Sequence, residues 1–165
     1  MNAQKPSYYG KYRGVVTDNR DLKNLGRIRA KVKDVLGDEE SGWALPCSPY
    51  AGKGVGLFLI PPVNALVWIE FEGGNPDYPI WTGCFWAEGE LPKLPALAEV
   101  KILKTDSGTL TMNDLPGVGG ITLETKDGMK IDFSQTGVEI SNGKGASIKL
   151  SLNQISLNNG ALEVT

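Results

Sequence analysis

The chain has 165 residues, a length that suits one domain with an appended piece, and carries 19 acidic against 17 basic residues for a net charge of -2. Its Lys and Arg residues are scattered, so no polyanion-binding track forms and nucleic acid is not an expected partner. The chain has no histidine, which removes Ser-His, Cys-His and His-metal chemistry. No apolar run approaches the roughly 20 residues that span a bilayer, and the N-terminal stretch lacks a signal-peptide core. Synthesis in the cytoplasm without a signal peptide or transmembrane segment is expected, with Cys47 and Cys84 reduced and packed.

Glycine and proline punctuate the chain, and no long window keeps helical spacing, so the expected class is all-β. Strand patterns fall at residues 9–18, 26–35, 55–61, 65–72 and 79–86. In the second, Ile28, Ala30 and Val32 alternate with Arg27, Arg29, Lys31 and Lys33, the mark of a half-buried antiparallel strand. Five such strands suit an OB-fold barrel over residues 1–87. In the fourth, Val67, Ile69 and Phe71 take the core side, leaving Trp68 as a candidate interface residue. Residues 88–119 read as a proline-spaced linker followed by a transition hairpin.

From residue 120 to 165 turn residues recur at near-regular steps: Gly120, Gly128, Gly137, Gly145, Asn153 and Gly160. Between them lie short alternating strands whose inward candidates are Ile121, Leu123, Met129, Ile131, Phe133, Val138, Ile140, Ile148, Leu150, Leu152, Ile155, Leu157, Leu162 and Val164. Two coils of a single-chain β-helix would hold too little core. Three copies wound together, one strand per layer and edges pairing between chains, would bring the apolar faces to a common axis. The alternation runs almost to Thr165, so the blunt end near Leu157, Leu162 and Val164 is expected to receive another protein.

Other motifs are read as bland. GDEES at residues 37–41 offers paired carboxylates, against which stands a solvated turn. AGKGVG and PGVGG lack Walker spacing and a following helix, so both are turns. Neither a catalytic residue, a cofactor site nor a metal site is assigned.

The pieces GRIRAKV (26–32), WALP (43–46), PYAG (49–52), PP (61–62), VWIEFEGG (67–74) and PDYPIWTG (76–83) occur in order. With the repeat tail, they resemble the central-spike proteins of contractile injection systems: phage baseplate assembly protein V, the VgrG spikes of type VI secretion and extracellular injection particles. The resemblance implies a trimeric, non-enzymatic spike of an assembled phage tail or tail-like particle, with a baseplate hub at the OB end. A PAAR-like tip protein would sit at the C-terminal end, and the target membrane would be met on contraction. Some relatives insert a lysozyme domain after the barrel, and residues 87–120 are too short for one. Asn64 stands where many relatives carry glycine after the paired prolines. The alternative from another class is a monomeric OB module for an oligosaccharide or single-stranded nucleic acid.

Overall fold

The computed structural model describes residues 6–93 and 95–164. It divides into two compact units, Met1–Glu90 and Leu91–Thr165. In both, the regular elements are almost all strands.

The first unit contains β1 (Tyr12–Asp18), β2 (Arg29–Lys31), the single-turn helix α1 (Lys33–Leu36), β3 (Leu45–Pro46), a tiny hairpin of β4 (Ala51–Gly52) and β5 (Val55–Gly56), β6 (Leu66–Phe71) and β7 (Pro79–Phe85). Five of these strands make one curled sheet in the order β2-β1-β6-β7-β3. All its pairings are antiparallel except β3 with β7. The alternation predicted for residues 26–35 holds, because Ile28, Ala30 and Val32 are fully buried. So does that of β6, where Val67, Ile69 and Phe71 join Val16, Ala44 and Trp81 in the core. The strand pattern ends early at α1, whose Val35 and Leu36 still pack against this core.

Residues 55–61 depart from expectation. Only Val55 and Gly56 are extended in a ladder, and the following LFLI runs as a loop. The run lacks alternation, and Pro61 and Pro62 supply no N–H to a neighbour. Its place in the sheet is taken by β3, while Leu57, Phe58 and Leu59 stay exposed. The thiols of Cys47 and Cys84 are free and exposed rather than packed.

A second device fixes the β1–β2 connection. The carboxylate of Asp21 accepts hydrogen bonds from the backbone N–H groups of Lys23 and Leu25 and from both Nε and Nη2 of Arg27. Its side chain is almost covered, and the Arg27 guanidinium holds its carboxyl far below the ordinary range. Arg27 and Arg29 lie over the ring of Trp43, at 5.3 and 5.0 Å.

The second unit is one meander of eight antiparallel strands: β8 (Val100–Lys104), β9 (Gly108–Asn113), β10 (Gly120–Thr125), β11 (Lys130–Ser134), β12 (Gly137–Ser141), β13 (Ser147–Ser151), β14 (Gln154–Leu157) and β15 (Leu162–Val164). Each strand pairs with the next in sequence. The ladder bonds among these residues therefore run within one chain, where lateral pairing between chains was expected. The anticipated transition hairpin, β8–β9, is continuous with this sheet.

Candidate functional site

The register of the meander stacks its inward candidates into two columns on one face. In the first, Met112, Ile121, Phe133, Val138, Leu150, Ile155 and Val164 are successive cross-strand partners. In the second, Leu103, Leu110, Leu123, Ile131, Ile140, Ile148, Leu157 and Leu162 follow in the same way. Side-chain direction has period two in a strand, so residues opposite one another share a face. Strand alternation turns the remaining residues to the other face, including Thr122, Asp132, Glu139 and Lys149. There Thr122 Oγ1 donates to Asp132 at 2.7 Å and Lys130 lies 3.2 Å away. The Thr122 hydroxyl and then Lys130 hold the Asp132 carboxyl below its usual range.

None of the described residues of this unit covers the apolar face. No described residue of the second unit is buried, and Leu123, Phe133, Ile140, Ile148 and Leu150 are each 42–51% exposed. Soluble monomers rarely present a contiguous apolar surface of this extent, because each exposed methylene forgoes about 0.8 kcal/mol of transfer energy. A lone sheet with an open face also lacks the second layer that stable domains use.

Twelve of the fourteen inward candidates lie in the columns. The other two do not. Met129 sits in the turn before β11, where its N–H donates to Thr125 Oγ1. Leu152 sits in the turn between β13 and β14 with φ of 49° and full exposure. Leu103, Leu110 and Met112 were missed, although TLTM in residues 109–112 carries the same alternation. Lys101, opposite Met112, ends the first column with a charge paired to Asp114.

The expected turn residues divide similarly. Gly128, Gly137, Gly145 and Gly160 have positive φ. Gly120 instead opens β10, where a Cβ would collide with the carbonyl oxygen of Phe133. Asn153 does not take the left-handed conformation; its neighbour Leu152 does, as do Asn158 and Asn159.

In the first unit, Trp68 faces away from the core. Its ring packs against Phe85 at 4.7 Å, and the Arg13 guanidinium lies over both rings at 5.9 and 5.7 Å. Lys11 extends this face by donating to Glu70 at 2.6 Å and Thr82 at 2.9 Å. The GDEES loop offers no poised acid at Glu40: the Thr17 hydroxyl and then Arg29 lower its pKa, so the carboxylate stays charged. Among the described residues no helix is long and apolar enough to cross a membrane.

Residues 12–86 match the family of the type VI secretion system/phage-baseplate injector OB domain. Residues 100–163 match the phage baseplate V C-terminal trimerisation domain, whose start coincides with β8. Two similar proteins come from Pseudomonas aeruginosa. The type VI secretion system spike protein VgrG5 is 34% identical over 117 residues, 66% of this chain and 14% of the relative. The spike protein VgrG4b is 32% identical over 111 residues, 61% of this chain and 14% of the relative. The chain thus matches only a small part of the length of these relatives.

Proposed function

Since this chain belongs to the VgrG-like central-spike family of phage-baseplate and type VI injection machines, we propose that it is a homotrimeric, non-enzymatic spike of a contractile injection apparatus. The observation that carries this is the uncovered pair of apolar columns within a matched trimerisation domain. Three such faces turned to one axis bury what a single chain leaves in water, and each polar face remains outside. Eight strands at about 4.8 Å spacing give a stiff prism about 34 Å long. Its backbone hydrogen bonds lie along its length, suited to carry compressive force.

In this reading the trimer core consists of the twelve candidates that lie in the columns, extended by Leu103, Leu110 and Met112. The turns at Gly128, Gly137, Gly145 and Gly160 set the strand length. The first unit would dock on a baseplate hub, with the Trp68, Arg13 and Phe85 cluster as contact surface. Leu157 on β14 and Leu162 and Val164 on the edge strand β15 would receive a PAAR-like tip, and the tip would meet the target membrane. The test for hub docking is co-sedimentation with a hub protein: Trp68→Ala lowers the bound fraction, and unchanged binding removes this cluster from the proposal. For the tip, Leu162→Ala, tested on the trimer fraction, should lower the capture of a tip protein, and unchanged capture removes this end of the meander from the proposal.

A further inference from the structure

Stacked aliphatic layers leave one problem unsolved. From β10 to β15 the second column reads Leu, Ile, Ile, Ile, Leu, Leu, and the first reads Ile, Phe, Val, Leu, Ile, Val. Sliding one chain along the axis by two strands, about 9.6 Å, keeps strand direction and exchanges one aliphatic residue for another nearly everywhere. Register is weakly specified wherever such exchanges are nearly neutral.

Phe133 is the exception. It is the single aromatic residue in either column, it is half exposed in the lone chain, and its cross-strand partners Ile121 and Val138 are both β-branched and smaller. We propose that Phe133 is the axial register key of the trimer. With three chains in step, three rings share one layer and fill it together. After a two-strand slip, a displaced ring enters a layer built for Leu150 and Ile148 or for Met112 and Leu110, while its own layer is underfilled. Both errors cost energy, overpacking in one layer and a cavity in the other. The aliphatic layers then supply affinity and the aromatic layer supplies specificity, as single distinctive residues do in coiled coils.

This inference rests on the trimeric reading. The test uses the full chain with Cys47→Ser and Cys84→Ser, a spin label on Lys149→Cys of the polar face, and pulsed dipolar spectroscopy on the trimer fraction. The background chain should give one narrow interchain distance. Phe133→Leu should add a second, longer distance corresponding to an axial offset of about 9.6 Å. Phe133→Val combined with Val138→Phe moves the key by one layer at constant composition and should restore a single distance. A Phe133→Leu trimer with one distance as narrow as the background overturns the proposal. If Phe133→Leu fails to assemble, the double variant decides: one distance supports the key, and several distances or a monomer overturn it. A background chain that is itself monomeric refutes the trimer instead.

Discussion

Replacing Ile140 by Asp is the sharpest perturbation of the apolar face. Ile140 is flanked across the strands by Ile131 and Ile148 and remains 43% exposed in the single chain. Assembly would bury that remainder, worth about 1 kcal/mol of apolar transfer per chain. Three aspartates in one layer would also each lack a partner cation, at about 3–5 kcal/mol per uncompensated buried charge. Summed over three chains the loss exceeds about 10 kcal/mol, or roughly seven decades in the trimer association constant. Light scattering on a sizing column should therefore show only the 17.7 kDa chain. Ser141→Asp is the matched control, since its position lies on the other face opposite Lys130 and trimers should persist. A folded Ile140→Asp chain that keeps the trimer mass would refute the assignment of this face to the axis.

Three further outcomes follow from local geometry. Gly137→Ala would place a Cβ against the carbonyl oxygen of Leu150, whereas at Gly145, with φ of 104°, a Cβ meets nothing within 4 Å. Thermal melts should show a large loss for the first and only about 1 kcal/mol of backbone strain for the second; equal losses would remove the close approach of β12 and β13. Leu152→Asn relieves a left-handed leucine and should raise the melting temperature while leaving the trimer mass unchanged. Trimer loss in that variant would return Leu152 to the core. The depressed Asp21 carboxyl makes the first unit acid-sensitive: its contribution is full above about pH 4, the unfolded value, and is lost as pH falls toward the lower folded value. Asp21→Asn should flatten that acid limb in denaturant titrations followed by tryptophan fluorescence, and an unchanged limb would show that other carboxylates set it.

The columns were legible because strand alternation is a local signal: each of Ile131/Phe133, Val138/Ile140 and Ile148/Leu150 shows it within one strand. The β8–β9 hairpin hid the same signal behind Lys101 and a threonine-rich surround. Residues 55–61 looked like a strand because they are apolar, yet apolarity without period two carries no facing information. Glycine counting placed the turns near Gly128 and Gly145 but misplaced the left-handed residue at 153. Which neighbour turns left depends on the ladder bonds that close the β13–β14 connection, and those are not written in residue preference alone. Pairing within the chain was not visible either, since period two specifies a face and not the partner strand.

The central claim is that three copies close their apolar faces on one axis. The most direct measurement is the native mass of the chain by light scattering, with an unboiled detergent gel beside it. Three chains of 17.7 kDa should give a species of about 53 kDa that resists detergent. A stable, folded species at the mass of one chain, with the apolar face still open to solvent, would contradict the account.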